Sequence, residues 1–263
     1  MTAIIRQELK LNLKSLLIWA LSVGGLGFIC ILMYTSMEGD VMEMADTFSE
    51  MGAFADAFGM STLSIATIAG FFATEVGTVH GLGSVMYAAF FASTMLSKEE
   101  DGHTGEYLFS LPVSRAKVVT AKLIAILVNL LVFTIICGIF YVLGFVALGE
   151  EVPMKDMVHF LACMLLMNVE VAAISYLISA TSGKNRIGLA LGISLVIYTY
   201  DIMGRVIPDL KDFLFIGPFS YVNASEIFAH IKAPDYSFVV AAVVIIATLA
   251  ATYVAYTRKD LAS

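Results

Sequence analysis

The sequence predicts an all-α, polytopic membrane protein with six transmembrane helices. Three observations predict it: the 263-residue chain is 59% hydrophobic, only 14% of its residues are charged, and its mean hydropathy is +0.89. Soluble domains carry about 25% charged residues. Because a segment in lipid must satisfy its own backbone polar groups, each apolar run of about 20 residues is expected to form a spanning helix. The predicted spans are Leu16–Ser36, Val76–Leu96, Leu123–Leu148, Met157–Ala180, Ile187–Ile207 and Phe238–Tyr256.

The stretch before the first span has an amphipathic pattern. Between Ile4 and Leu16, apolar residues recur at three- and four-residue spacing, and basic residues recur every four positions on a neighbouring stripe: Arg6, Lys10 and Lys14. This pattern is typical of a helix lying in the membrane interface. It predicts an N-terminal interfacial helix; the alternative is a basic extension of the first span whose lysines reach the headgroups.

A second short element is expected between the first two spans. The apolar stretch Met60–Ala73 is too short to cross a bilayer and is followed by Glu75. It favours a separate interfacial or re-entrant helix over an overlong start of the second span, because the joined run would exceed the length that a bilayer needs.

The basic residues are distributed unevenly between the two sides of the predicted spans. Of the 15 Lys and Arg residues, only four fall on one side: Lys155, Arg205, Lys211 and Lys232. By the positive-inside rule, that side is extracellular and both termini are cytoplasmic. The predicted location is the cell (plasma) membrane, with the lipid bilayer as an obligatory partner.

The segment between spans two and three, residues 97–122, is unusually dense in charge. Its sequence is SKEEDGHTGEYLFSLPVSRAKVVTAK. Gly102 permits a sharp change of backbone direction, and a short helix over Glu106–Ser110 is expected to end because Pro112 disfavours helical geometry at the residue before it. Ser114 is a candidate N-cap of the next helix. The short helix offers apolar side chains to a partner's groove, although an ordinary charged connection would have a similar composition.

This segment resembles the cytoplasmic signature of the type-two ATP-binding cassette (ABC) exporter permeases, E-x-x-G-T-x-E-x-L-L-S-x-P-V-S-R followed by Lys. The chain reads E-E-D-G-H-T-G-E-Y-L-F-S-L-P-V-S-R from Glu99, with one extra residue before Glu106 and Phe109 at a usual Leu position. The resemblance implies a homodimer or heterodimer of permeases with separate ABC ATPase subunits that push on this segment through a short coupling helix. The implied coupling residues are Glu99, Glu100, Asp101, Gly102, Glu106, Tyr107, Leu108, Leu111, Pro112 and Arg115.

The sequence lacks the common motifs for nucleotide binding, hydrolysis and metal binding. It contains no phosphate-binding G-x-x-x-x-G-K-[ST], no H-E-x-x-H, no G-x-S-x-G and no metal-ligand spacing of Cys and His. Residues 1–263 are therefore expected to form a single transmembrane permease domain without a nucleotide-binding domain. We expect no catalytic residue, metal or cofactor in this chain, with ATP and Mg on the partner ATPase, and no nucleic-acid partner.

Polar groups within the predicted spans are the remaining candidates for function. An ionisable group at membrane depth costs about 2.5–3.5 kcal/mol on insertion scales, so such groups usually face a cavity or a partner. Glu170 and Asn168 could line a translocation path or form a proton site, or they could hold helices together; Asn129 and His80 carry the same two interpretations. An ion- or proton-coupled secondary transporter using Glu170 is the alternative function, and a membrane anchor or sensor is a third.

Two pairs of glycines at four-residue spacing could let helices approach closely. Gly77 and Gly81 are expected to pack inside one subunit. In the fifth span, the family resemblance makes Gly188 and Gly192 candidates for the seam of a permease dimer.

Overall fold

The computed structural model describes residues 1–102 and 113–259, with the backbone alone at residues 38, 40–44, 46, 48 and 49. Within these ranges the chain is helical, with turns and no strand. The helices are α1 (Thr2–Ser49), α2 (Ala53–Phe58), α3 (Ile68–Phe71), α4 (Gly77–Thr94), α5 (Lys98–Asp101), α6 (Arg115–Leu148), α7 (Met154–Thr181), α8 (Ile187–Val206), α9 (Pro208–Lys211), α10 (Ala224–Phe228) and α11 (Ser237–Arg258). A π-helical turn covers Phe72–Val76, and 3₁₀ turns cover Leu214–Ile216 and Pro218–Tyr221.

Five of the helical segments in the described ranges are long and apolar enough to cross a membrane. They are Thr2–Met37 of α1 and the whole of α6, α7, α8 and α11. Each overlaps one of the predicted spans, which confirms the prediction of an all-α, polytopic membrane protein. The count of six depends on α4.

Helix α4 occupies the position of the second predicted span but is less apolar than the others. None of its residues is exposed, because α1, α7 and α8 pack around it. A helix enclosed by protein can carry Gly, Ser and His where a lipid-facing helix could not. Together with α3 and the π-helical turn it forms one helical stretch, Ile68–Thr94, about 40 Å long at 1.5 Å per residue, which is sufficient to cross a bilayer.

The prediction of a separate interfacial or re-entrant helix over Met60–Ala73 is wrong. Residues 59–67 form turns, and the helix that begins at Ile68 continues into α4. The Thr67 hydroxyl caps it by accepting a hydrogen bond from the Gly70 amide at 3.0 Å. Phe72 is fully buried against aromatic side chains of three other helices, which draws this stretch into the bundle rather than leaving it in the interface.

The prediction of a separate interfacial helix at the N-terminus is also wrong. Residues 2–49 form one uninterrupted helix, about 72 Å long, which is more than twice the thickness of the hydrocarbon core. No Pro interrupts this range, and Glu8 ties its first turns to the bundle through ion pairs with Lys98 and Lys122. The alternative, a basic extension of the first span, is the arrangement that the structure shows.

Glycines allow close contacts between helices in the bundle. Helix α1 packs along α6, where a Cβ on Gly27 would lie 2.4 Å from Tyr141 Cε1. A Cβ on Gly77 would lie 2.8 Å from the Ala224 side chain, and one on Gly81 would touch Phe219. The prediction that Gly77 and Gly81 pack inside one subunit is therefore confirmed.

Candidate functional site

A cluster of buried and half-buried charges lies where α4 ends and α6 begins, at the two stems of the segment 97–122. We name it the ionic cluster; its members are Glu8, Lys98, Glu99 and Lys122. The side chain of Lys122 has no exposed surface. Its ammonium group donates to Glu8 Oε1 at 2.7 Å, to the Met95 carbonyl at 2.6 Å and to Glu99. These three acceptors match the three protons of an ammonium group.

Glu8 connects the ionic cluster to α1. One of its carboxylate oxygens accepts from Lys122, and the other accepts from Lys98. Because each buried charge faces an opposite charge, the removal of one member would leave its partners uncompensated. The ionic cluster therefore holds α1, the end of α4 and the start of α6 in one arrangement.

A second layer of bonds joins the same stems to α7, α8 and α11. Lys259, directly after α11, donates to Glu100 Oε1 at 2.7 Å and to the Ser182 carbonyl at 2.9 Å. The guanidinium of Arg115 donates to the Lys259 carbonyl. Asn185, in the turn between α7 and α8, donates to Asp101 Oδ2 at 2.7 Å. Both ends of the segment 97–122 are thus bonded to the rest of the bundle.

The structure places the predicted coupling residues only in part. Glu99, Glu100, Asp101 and Arg115 all bond to this chain's own side chains or backbone, so these charges are oriented toward the bundle. Gly102 ends the short helix α5. The predicted coupling helix and the remaining predicted residues lie outside the described ranges: Glu106, Tyr107, Leu108, Leu111 and Pro112. Ser114 is the N-cap of α6 and accepts from the Lys117 amide at 3.4 Å, which confirms that prediction.

Sequence reasoning missed Glu8, Lys98, Lys122 and Lys259 as members of one site. The sequence pattern gives no role to Glu8 and does not connect it with Lys122. The available signal was that Glu8 is a lone acidic residue within the basic start of the chain. An acid in such a place suggests a specific basic partner, but nothing local shows which one.

Glu170 lies in the interior of the bundle and has a defined partner. It is 2% exposed and accepts a hydrogen bond from the Tyr221 hydroxyl at 2.7 Å. Burial, and then the neighbouring Glu170 carboxylate, raise the pKa of the Tyr221 phenol well above its usual value, so Tyr221 is the donor. The bond joins α7 to the 3₁₀ turn that precedes α10, which supports the interpretation that Glu170 holds elements together.

The other intramembrane candidates are enclosed by the helices of this chain. His80, Asn129 and Asn168 are each at most 1% exposed. His80 Nδ1 lies 2.7 Å from the Tyr141 hydroxyl, and the Asn129 amide donates to the Ala125 carbonyl at 2.8 Å. Asn168 has no hydrogen-bond partner among the described residues. These side chains lie within the packed interior of one subunit, and the contact of His80 with Tyr141 joins α4 to α6.

The glycines of α8 lie on an open surface. A Cβ on Gly188 or Gly192 would meet no atom within 4 Å. Exposed apolar residues continue the same side of the helix: Leu189, Leu195, Val196 and Met203. This surface could contact another subunit without any rearrangement of the bundle.

Comparison with known proteins gives one family. A family profile described as "ABC-2 family transporter protein" matches residues 2–261. No curated protein matches the sequence. The match covers the long helices, the ionic cluster and the segment between α4 and α6.

Proposed function

The chain belongs to the ABC-2 family of transporter proteins, whose members are the membrane permease subunits of ABC transporters, and on that premise we propose that it drives export with ATP hydrolysed by separate ATPase subunits. The proposal assigns energy coupling to the segment 97–122. The observation that carries it is the buried ionic cluster at the two stems of that segment. It supports a function in which a force applied to the segment 97–122 is transmitted to the whole helical bundle.

The ionic cluster suits mechanical coupling because its bonds are buried and reach several helices at once. A push on residues 103–112 would act on α4 through Lys98 and Glu99, and on α6 through Lys122. Glu8 would pass the same displacement to α1. Packed elements joined in this way move as rigid bodies rather than bending one at a time. The ATPases would thereby reorient α1, α4 and α6 together instead of a single flexible connection.

We place the ionic cluster and both termini on the cytoplasmic side. Most Lys and Arg residues lie at this end of the chain's spans, as the positive-inside rule requires. ATP and Mg would be bound by the partner ATPases, which contact this face. The six-span topology, with Ile68–Thr94 as the second span, follows from the same placement, because residues 97–122 must then be cytoplasmic.

The exposed side of α8 is our candidate for contact with a second permease, either identical or a sibling. Gly188 and Gly192 leave room for the close approach of a partner helix. Because the intramembrane polar side chains are enclosed within one subunit, a path for cargo would run between the two permeases. This arrangement favours an ABC exporter over a secondary transporter centred on Glu170.

The docking experiment uses the tagged full-length chain purified from its native membranes. We expect a Walker-motif ATPase to copurify, and Leu111→Asp to reduce its recovery about tenfold or more, since an interface anchor of this kind contributes about 2 kcal/mol. Mass spectrometry identifies and quantifies the ATPase.

The matched control is Lys184→Glu, an exposed basic residue at the same end of the bundle but outside the segment 97–122. It should leave ATPase recovery unchanged. Full ATPase recovery with Leu111→Asp, in a protein that still inserts, would contradict coupling through this segment.

A further inference from the structure

A cavity of about 550 Å³ lies at the opposite end of the bundle from the ionic cluster. It is bordered by the first two turns of α7, by the segment after α10 and by the first turn of α11. The far end of α7 bonds to the start of the segment 97–122 through Ser179, whose hydroxyl accepts from the Ser97 amide at 3.0 Å. The cavity and the ionic cluster are therefore separated by the length of α7, about 42 Å.

Basic side chains dominate the polar part of the cavity. Lys155 and His159 come from α7, and His230 and Lys232 follow α10. Asp156 is the one acidic side chain among the lining residues, and its carboxylate lies 3.5 Å from His230 Nδ1. Neither lysine forms an ion pair with any residue that the structure describes. The N-terminus of α7, which carries a partial positive charge, lies at the same cavity, so an anion is favoured here.

Lys155 and Lys232 are half of the four Lys and Arg residues on this side of the predicted spans. Of the other two, Arg205 is bonded to Asp201 at 2.9 Å and to Glu226 at 2.6 Å, so its charge is compensated within the protein. Lys211 is exposed on α9, outside the cavity. The basic charge that remains available at this end is therefore concentrated at the cavity.

The rest of the cavity wall is apolar and continues onto the membrane-facing surface. Ile227 and Tyr221 are buried in its floor, while Ile231 and Phe238 are 51% and 49% exposed at its edge. Phe238 is in the first turn of α11, where that helix enters the bilayer, and Val239 beside it is also exposed. Aromatic and lysine side chains together are typical of the boundary between lipid and water.

We propose that this cavity binds the head group of an anionic phospholipid, with Lys155 and Lys232 contacting the phosphate and with Ile231 and Phe238 contacting the start of the acyl chains. A volume of about 550 Å³ lies in the range of ligand sites, about 300–1,000 Å³, and far exceeds that of a free phosphate ion. A soluble anion would make no contact with the apolar edge beside the lipid-facing helix, whereas the acyl chains of a lipid would. In the orientation proposed above, the lipid belongs to the outer leaflet.

The test measures lipid binding to the purified full-length chain in detergent, without ATPase or nucleotide. Two short-chain probes with equal tails are compared, dioctanoyl phosphatidylglycerol and dioctanoyl phosphatidylcholine. We expect the anionic lipid to bind about tenfold more tightly, because each of the two lysines attracts its net negative head group by a factor of several, whereas the choline cation of phosphatidylcholine offsets the charge of its phosphate. Lys155→Ala/Lys232→Ala should reduce this preference to about twofold or less.

Three controls make the result specific. Lys211→Ala, at the same end but outside the cavity, should keep the full preference, and Lys155→Arg/Lys232→Arg should retain most of it because the charge is preserved. Inorganic phosphate at the concentration of the lipid should not displace it. All of the substituted lysines are exposed, so the variants are expected to fold.

Equal affinity for the two lipids, or an unchanged preference in the double alanine variant, would overturn the proposal. Displacement of the lipid by equimolar inorganic phosphate would also overturn it and assign the cavity to a soluble anion. Because no ATPase is present, the outcome is independent of whether the segment 97–122 couples the chain to a motor.

Discussion

At the scale of single residues, Lys122 is the most constrained charge in the described part of the chain. Its ammonium group is buried and bonded to two carboxylates and a carbonyl. A buried ion pair does not by itself raise stability, because desolvation opposes the attraction between the charges. Its loss is nevertheless costly, since the partners remain buried. Lys122 is therefore expected to determine the arrangement of the helix ends around it.

Replacement of this residue gives a direct measurement of that constraint. Lys122→Met should lower the free energy of unfolding by about 3 kcal/mol, because Glu8 and Glu99 lose their shared partner. Unfolding by SDS in mixed micelles would measure it. The exposed residue Lys10, on the same helix as Glu8, supplies the control: Lys10→Met should change stability by less than about 0.5 kcal/mol. Equal stability of the two variants would show that the ionic cluster is not structural.

The bond between Tyr221 and Glu170 allows the two interpretations of the buried carboxyl group to be separated. Tyr221→Phe removes the donor and should destabilise the protein by about 1–3 kcal/mol, whereas Glu170→Gln keeps an acceptor oxygen and should cost about 1 kcal/mol or less. Thermal unfolding and the ATPase activity of the purified complex are the two readouts.

We expect ATPase activity of the complex to persist in Glu170→Gln, because a residue that only holds elements together needs no ionisable proton. Loss of activity in a Glu170→Gln protein of normal stability would indicate a proton site and would revive the secondary-transporter hypothesis. Transport driven by a proton gradient in liposomes without ATPase would do the same.

At the scale of helices, two glycine pairs with the same spacing have different surroundings. Gly77 faces Ala224 with no room for a Cβ, whereas Gly188 faces open space. Gly77→Leu should therefore destabilise the single subunit by about 1–3 kcal/mol through overpacking. Gly188→Leu should leave the stability of the subunit unchanged and should reduce cross-linking between permeases in the membrane. Normal cross-linking in Gly188→Leu would remove α8 from the proposed subunit contact.

The long helices could be predicted from the sequence because hydropathy is a local property. The fourth predicted span, Met157–Ala180, differs from α7 by only a few residues at its start and by one at its end. The Ser114 cap was equally accessible, since a cap and the amide that it accepts from are three positions apart. Local signals of this kind need no knowledge of the neighbouring helices.

The ionic cluster could not be predicted because its members are far apart in the chain. Glu8 and Lys122 are separated by 114 positions, and helical periodicity relates only residues three or four apart. The N-terminal helix was misassigned for a related reason. A stripe of apolar residues beside a basic stripe is the same whether the helix lies on a membrane or packs against a bundle, and the decisive contact of Glu8 is nonlocal.

At the scale of the whole molecule, the two ends of the bundle differ in chemistry. One end holds the ionic cluster, with two carboxylates and two ammonium groups. The other end holds a basic cavity beside exposed apolar side chains. This asymmetry suits a subunit that receives force from a protein on one side and contacts lipid on the other. The proposed permease contact along α8 joins the two ends, so it could respond to both.

The enclosed position of α4 has a consequence for how the protein is made. A nascent helix that contains His80 and several small residues partitions weakly into lipid when it leaves the ribosome. The helices that shelter it on two sides, α7 and α8, are synthesised later. Helix α4 would therefore stay beside the translocon, or be held by the already inserted α1, until those helices arrive. Its integration into the membrane would be a late, cooperative event in biogenesis, although it is the second of the spanning helices to be synthesised.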